Sequence, residues 1–185
     1  MIKDIISDAN ERMNKTIEHF TRDLSSLRAG RANPGMVEKI MVDYYGEATP
    51  LNQLANITVP EARLLVIQPW DKGSIPNIEK AILKSDLGVN PNNDGNVIRI
   101  AIPQLTEDRR KEIVRVVKKR AEESRVAVRN IRRESNDLLK SSEKEKLISE
   151  DESKKGMDEI QKLTDKFIKD IDVIMQNKEK DIMEV

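Results

Sequence analysis

The sequence predicts an α+β chain in which an elongated three-helix bundle carries a small inserted domain. Apolar residues recur at helical spacing in three segments, one at each end of the chain and one in its second half. Between the first two segments the pattern changes to short alternating runs, and all seven prolines and six of the seven glycines lie there. Aromatic residues make up only 3% of the chain, which suits a helical core of Leu, Ile, Val and Met.

The first helical segment covers residues 2–28. Its apolar positions are separated by three or four residues, which is close to a heptad seam. They are Ile2, Ile6, Ala9, Met13, Ile17, Phe20, Leu24 and Leu27. We expect Gly30, which precedes Asn33-Pro34-Gly35, to end this helix. His19, the only histidine, lies opposite the apolar seam and is predicted to be a solvated surface residue.

Residues 31–103 are predicted to form the inserted α+β domain. Predicted strands cover residues 37–45, 56–59, 63–68 and 97–102, with a turn at Asn93-Asp94-Gly95. A short helix is predicted from Ser74 to Gly88, because Pro76 suits its first turn and glycine suits its end. Seven bases and eight acids leave the insert near neutral, which favours protein contacts over RNA contacts.

Two short linkers, residues 28–31 and 102–105, tether the insert to the bundle. Adjacent short tethers make a hinge that bends but does not swing freely. The predicted hinge residues are Ala29, Gly30, Pro103, Gln104 and Leu105. The bundle would then comprise residues 1–30 and 104–185, and the two-domain chain is expected to be L-shaped.

The second helical segment, from Thr106 to Lys146, has two distinct faces. At about 100° per residue, an apolar stripe within about 60° of Ile113 collects Ile113, Val117, Ser124, Val128, Ile131, Ser135 and Leu138, widened by Val116, Ala121, Ala127 and Leu139. The opposite face holds Lys111, Arg115, Lys118, Lys119, Arg125, Arg129, Arg132 and Arg133. Thr106 is a plausible N-cap.

The basic face predicts phosphate binding. Residues 109–133 contain eleven Lys or Arg and only three Glu, whereas exposed helices commonly alternate Glu with Lys. The densest part is rich in arginine, whose planar fork grips phosphate bidentately. A nucleic-acid backbone is therefore the leading partner, with Arg125, Arg129, Arg132 and Arg133 as contacts. The alternative is an ordinary solvated charged face.

The third helical segment follows a predicted capping box from Ser149 to Glu152. Its apolar positions are Ile160, Leu163, Phe167, Ile171, Ile174 and Ile182. None of the three segments can bury its apolar stripe alone, so they are predicted to pack as a bundle. An intermolecular coiled coil is the alternative, but the middle stripe is wider than a two-stranded seam requires.

The sequence offers little for catalysis. The absence of cysteine excludes disulfides, thiolate metal sites and cysteine nucleophiles, and one histidine supports neither a Ser/His/Asp arrangement nor a histidine metal cluster. Residues 30–35 resemble a phosphate-binding loop only superficially, because Met36-Val37 stands where Lys-Ser/Thr is required. We therefore expect no enzyme activity, cofactor, metal or small-molecule substrate. Without a signal peptide or a membrane span, the protein is expected to be cytoplasmic, with no membrane partner.

Several motifs together resemble bacterial ribosome recycling factor, and the resemblance runs from end to end of the chain. They are Arg28-Ala29-Gly30-Arg31-Ala32-Asn33-Pro34, Asp43-Tyr44-Tyr45-Gly46, Thr49-Pro50-Leu51, Asp86-Leu87-Gly88-Val89-Asn90-Pro91, the run from Arg125 to Arg133, and Gln161-Lys162-Leu163-Thr164-Asp165.

The resemblance implies a three-helix bundle and a β/α/β domain in a tRNA-like L. It implies a monomer that binds the intersubunit region of the post-termination ribosome, with the bundle on large-subunit ribosomal RNA. With elongation factor G and its GTP hydrolysis, such a protein separates the subunits and releases mRNA and tRNA, while the smaller domain swings on the linkers. The family's RNA-facing arginines map onto Arg28, Arg31, Arg129, Arg132 and Arg133.

Two other functions remain compatible with the residues themselves. The first is a cytosolic coiled-coil scaffold whose basic face is merely solvated. Such a scaffold would self-associate, and charge reversal on the basic face would leave its partners unaffected. The second is a general RNA chaperone, which would bind unstructured RNA as well as ribosomes.

Overall fold

The computed structural model describes residues 1–27 and 31–184. It divides into two compact units, of which one comprises Met1–Leu24 and Lys111–Asp181 and the other Ser25–Arg110 and Ile182–Val185. The first unit is built from long helices and the second contains the sheets. The α+β class and the order helix, β/α/β insert, helix, helix are therefore as predicted.

The elements follow one another as α1 (Ile2–Ser25), β1 (Met41–Tyr44), β2 (Glu47–Pro50), β3 (Ala55–Glu61), β4 (Leu64–Pro69), α2 (Ile75–Lys84), β5 (Pro91–Asn93), β6 (Ile98–Ala101), α3 (Glu107–Lys144) and α4 (Glu150–Met183). Within the described residues, no helix has an apolar stretch long enough to cross a lipid bilayer.

Both predicted caps of the long helices are present. At the start of α3, the backbone N–H of Arg109 donates to Thr106 Oγ1 at 3.1 Å. At the start of α4, the N–H of Glu152 donates to Ser149 Oγ at 3.1 Å, and the N–H of Ser149 donates to Glu152 Oε1 at 3.3 Å. Each bond satisfies an N–H group that the first turn of a helix leaves without an intrahelical partner.

The helical unit buries its apolar side chains between α1, α3 and α4. The buried set is Ala9, Met13, Phe20, Leu24, Ile113, Val117, Ala121, Val128, Ile131, Leu139, Ile160, Phe167 and Ile171. Gly156 marks a close approach of α4 to α3, because a Cβ atom there would lie 3.1 Å from both terminal methyl carbons of Leu139. A larger residue at this position would force the buried Leu139 side chain to move.

The predicted apolar stripe of α3 is displaced from the face that the structure buries. Leu138 is 53% exposed and Val116 is 37% exposed, whereas Leu139, predicted at the margin, is fully buried. At about 100° per residue, the predicted stripe extends from about 60° before Ile113 to about 80° beyond it. The buried positions occupy only the part from Ile113 to about 80° beyond it, so their centre is shifted by about 30°. The reason is that α3 packs against both α1 and α4, so the side that it buries is the one that faces the groove between these two helices.

The inserted region forms a four-stranded antiparallel sheet in the order β3-β4-β6-β5 and a separate β1-β2 hairpin. Its core contains Val37, Val42, Leu51, Leu54, Ala55, Leu65, Ile67, Ile75, Ile78, Ile82, Val89, Ile98, Ile100 and Ile102. The turn predicted at Asn93-Asp94-Gly95 joins β5 to β6. The Asp94 carboxylate accepts the N–H groups of Asn96 and Val97, and these bonds lower the pKa of that carboxyl group well below its usual range.

Some predicted elements of the insert differ in extent. The strand predicted at residues 37–45 begins only at Met41, because Pro34–Met36 forms a short 3-10 helix capped by the Asn33 side chain. Both β2 and β5 were absent from the prediction, since β2 has no large apolar residue and β5 is Pro91-Asn92-Asn93. The helix predicted from Ser74 to Gly88 ends at Lys84.

Two of the predicted hinge residues, Ala29 and Gly30, lie outside the described residues. Pro103 and Gln104 are exposed, and Gln104 Oε1 accepts a hydrogen bond from Arg63 Nη1 at 3.5 Å. Leu105 is only 7% exposed, so its side chain is buried. The hinge role of Pro103, Gln104 and Leu105 stays a prediction.

Candidate nucleic-acid interface

The face of α3 that lies away from the bundle core is basic along most of its length. Arg115, Lys118, Lys119 and Arg133 are exposed, and Arg129 and Arg132 are partly exposed. Residues three or four apart on a helix lie on the same side, about 5–6 Å from one another. The geometry therefore brings Arg129, Arg132 and Arg133 together within little more than one turn.

Arg125 is only partly exposed and is paired with α4, so its predicted place on the open basic face is wrong. Its side chain is 17% exposed, and its guanidinium donates to Asp172 of α4 from Nε at 2.9 Å and from Nη2 at 2.8 Å. Nη1 donates to Glu122 at 2.8 Å. The displacement of the buried face explains this position, because it brings Arg125 to the edge that faces α4.

The environment of Arg125 keeps its charge. Burial disfavours the charged guanidinium, but hydrogen bonds and attraction from Asp172 and Glu122 outweigh burial and raise the pKa of Arg125 above its usual value. Breaking one partner of such a pair leaves the other charge partly desolvated. Arg125 thus ties α3 to α4.

Glu122 also touches the next arginine on the face. Its Oε1 lies 3.6 Å from Arg129 Nη1, while its Oε2 accepts from Arg125. The side chain of Arg129 is 38% exposed and shares Glu122 with Arg125, so the positive charge of Arg129 is only partly neutralised. Across residues 1–27 and 31–184, neither Arg132 nor Arg133 makes an ion pair. The positive charge available to a phosphate therefore increases from Arg125 towards Arg133.

The arginines predicted from the first linker have a different setting. Arg28 lies outside the described residues. Arg31 belongs to the unit that contains the sheets; its side chain is 73% exposed and its Nη2 lies 3.8 Å from Glu184 Oε2. An exposed pair of this length contributes little to stability and leaves Arg31 accessible.

Sequence reasoning missed the two carboxylates that organise this face. Glu122 stands three residues before Arg125, a spacing that brings side chains together on a helix and could have signalled the pair. Asp172 lies 47 residues from Arg125. No local pattern joins those two residues, because their contact depends on how α4 packs against α3.

Known proteins are similar to this chain in sequence and in structure over its full length. A model of the family described as "Ribosome recycling factor" matches residues 20–183. The ribosome-recycling factor of Syntrophomonas wolfei is 77% identical over 185 residues, and that of Desulforamulus reducens is 60% identical over the same length. Both alignments cover 100% of this chain and of the relative.

Two solved structures are also similar. A solution structure of the ribosome recycling factor has 46% sequence identity and a TM-score of 0.82, with 100% of this chain and 98% of that chain covered. The other structure describes models for the T. thermophilus ribosome recycling factor and the E. coli elongation factor G bound to the E. coli post-termination complex. It has 48% identity and a TM-score of 0.70, and both chains are covered completely. The sequence match and the shared fold lead to one conclusion: this chain belongs to the ribosome recycling factor family.

Proposed function

We propose that this protein binds the post-termination ribosome in the cytoplasm and, together with elongation factor G and GTP, separates the ribosomal subunits. Release of mRNA and tRNA follows from that separation. The observation that carries the proposal is the full-length similarity to a factor that has been placed with elongation factor G on a post-termination complex.

The helical unit would provide the ribosomal contact. Arg129, Arg132 and Arg133 lie together on α3, where their guanidinium groups can grip phosphates of large-subunit ribosomal RNA. Arg28 and Arg31 would extend the contact from the first linker. Backbone contacts of this kind position a protein by shape with little reading of base sequence. Arg125 takes a supporting role, because its guanidinium already binds Asp172 and Glu122.

The insert would face protein partners in the intersubunit region. In this proposal residues 1–30 and 104–185 form the RNA-binding domain, and residues 31–103 form a second domain that moves on Ala29, Gly30, Pro103, Gln104 and Leu105. The protein acts as a monomeric lever and performs no covalent chemistry, so it requires neither cofactor nor small-molecule substrate. Elongation factor G supplies the GTP hydrolysis.

Light scattering of post-termination ribosomes tests the proposal. We expect rapid loss of scattering, as subunits separate, only when this protein, elongation factor G and GTP are all present. A GTP analogue that cannot be hydrolysed serves as the control and should abolish the change. Separation without elongation factor G, or GTP hydrolysis by this protein alone, would contradict the proposed division of labour.

The geometry of Glu122 leads to a prediction about affinity. Glu122→Gln removes the carboxylate that partly neutralises Arg129, so we expect binding to vacant ribosomes to strengthen about two- to fivefold at low salt, in line with the modest energy of exposed ion pairs. Co-sedimentation at two salt concentrations measures the effect.

The matched control for this change is Glu123→Gln. Glu123 is the adjacent exposed glutamate and, on another side of α3, lines a recess that Lys15 and Arg120 also line. The Glu123→Gln substitution removes the same formal charge and should change the affinity for ribosomes less than Glu122→Gln does. Equal strengthening by both substitutions would show that only net charge matters and that the Glu122–Arg129 contact has no specific effect.

A further inference from the structure

The β1-β2 hairpin turns through an unusual pair of residues. Tyr44 pairs with Glu47, so Tyr45 and Gly46 form a two-residue loop, and both have positive φ angles of 50° and 87°. Such loops favour Asn-Gly, because asparagine and glycine tolerate the left-handed region. A tyrosine at the first position is disfavoured by its bulk. Local folding preference therefore does not explain why Tyr45 is there.

Tyr45 and Trp70 are also unusually exposed. The chain has only five aromatic residues, and Phe20 and Phe167 are buried. Tyr45 is 81% exposed, and Trp70 is 69% exposed. Tyrosine and tryptophan are the residues most enriched at the energetic centres of protein interfaces. Their exposure on the sheet-containing unit indicates an interaction surface.

Two contacts within the insert orient the Tyr45 ring. Its hydroxyl donates to Asp71 Oδ2 at 3.0 Å, and the Tyr44 ring meets it edge to face at a centroid distance of 4.6 Å. Asp71 is itself held, because its Oδ1 accepts the N–H of Gly73 at 2.9 Å. A side chain that is already ordered loses little conformational freedom on binding, which favours affinity.

Around Tyr45 lies a small acidic recess of about 180 Å³, which we name the tyrosine recess. It is lined by Asp43, Tyr44, Tyr45, Gly46, Asp71, Gly73, Ser74 and Asn77. None of these lining residues is basic, so the two aspartates give the recess a negative charge. Its volume is smaller than the roughly 300–1,000 Å³ of pockets for drug-sized ligands, and it suits a single side chain.

The chemistry of the recess selects a cation. Carboxylates repel the phosphates of RNA, whereas they bind a guanidinium group through charge-assisted hydrogen bonds. Aromatic faces attract the same group by cation–π interaction, for which arginine is the more frequent partner.

We propose that the tyrosine recess is a docking site for an arginine side chain presented by a protein partner in the post-termination complex. This inference rests on the proposed function, because it concerns a partner met during subunit separation. It adds a specific protein-binding site to the insert, separate in chemistry from the arginine face of α3.

The decisive substitution is Tyr45→Asn in the full chain. Asn-Gly is the preferred loop for this turn, so the variant should unfold at an equal or higher urea concentration. We expect subunit separation with elongation factor G and GTP to slow at least fivefold, while co-sedimentation with vacant ribosomes, which reports the arginine face, changes less than twofold. Unchanged separation by a folded Tyr45→Asn protein would overturn the proposal.

Two further variants distinguish the contribution of the Tyr45 ring from that of the negative charge on Asp71. Tyr45→Phe keeps the ring and should retain most activity, whereas Asp71→Asn removes one negative charge and should slow separation. If Tyr45→Asn proved unstable, slowing by Asp71→Asn in a folded protein would support the docking site, and wild-type rates for Asp71→Asn would overturn it.

Cross-linking identifies the class of partner. The photoreactive amino acid p-benzoylphenylalanine at position 45 is irradiated on post-termination ribosomes with elongation factor G. A cross-link to an arginine-containing peptide of a protein supports the proposal. A cross-link to ribosomal RNA, or none, overturns it. A wild-type protein that failed to separate subunits would instead overturn the proposed function.

Discussion

Replacing Arg132 by glutamate is expected to weaken binding to vacant ribosomes by about ten- to a hundredfold at low salt. The substitution removes a charge-assisted contact worth about 1.5–3 kcal/mol and places a carboxylate beside phosphates. Arg132 makes no ion pair within the described part of the chain, so its change should leave the packing of α3 intact. Co-sedimentation across a salt series measures both the affinity and its salt dependence.

The salt dependence distinguishes a phosphate contact from general attraction. Affinity of the wild type should fall steeply with salt, and the Arg132→Glu variant should show a shallower slope because fewer counterions are released. Arg115→Glu is the matched control: it makes the same charge change on an exposed residue of the same helix, further from the arginine cluster. Salt-insensitive binding that neither variant alters would show that the basic face is an ordinary solvated surface, and it would favour the scaffold alternative.

The second large effect is expected from Leu139→Ala, which should lower the free energy of unfolding of the helical unit by about 2–5 kcal/mol. Leu139 is fully buried and lies against Gly156 of α4. The truncation would leave a cavity at this close approach of two helices, where neither backbone can move freely to fill it. Urea denaturation followed by far-ultraviolet circular dichroism measures the change, since helices dominate that signal.

Leu138→Ala is a closely matched control, because it makes the same substitution one position earlier in the same helix. Leu138 is 53% exposed, so we expect a change within about 0.5 kcal/mol. The two substitutions also distinguish the packing in the structure from the periodic stripe predicted from the sequence, because that stripe places Leu138 near the centre of the core. A larger loss from Leu138→Ala than from Leu139→Ala would support the periodic stripe and contradict the packing described above.

Local patterns accounted for most of the helices. The spacing of apolar residues identified α1, α3 and α4, and Thr106 and Ser149 were found as caps because capping depends on neighbours within three residues. Strands β2 and β5 were missed because their pairing is not visible in neighbouring residues. Pro91-Asn92-Asn93 has no apolar alternation, and it becomes a strand only because β6 offers it a hydrogen-bonding edge.

The basic character of α3, the change of composition that sets off the insert and the family resemblance can all be read from the amino-acid pattern. Which arginines remain available depends on how the helices pack. Periodicity placed Arg125 with Arg129, Arg132 and Arg133, but contact with Asp172 of α4 removes Arg125 from the open face. Helix geometry specifies which residues share a face, whereas the rotation of that face towards the core depends on side chains distant in sequence.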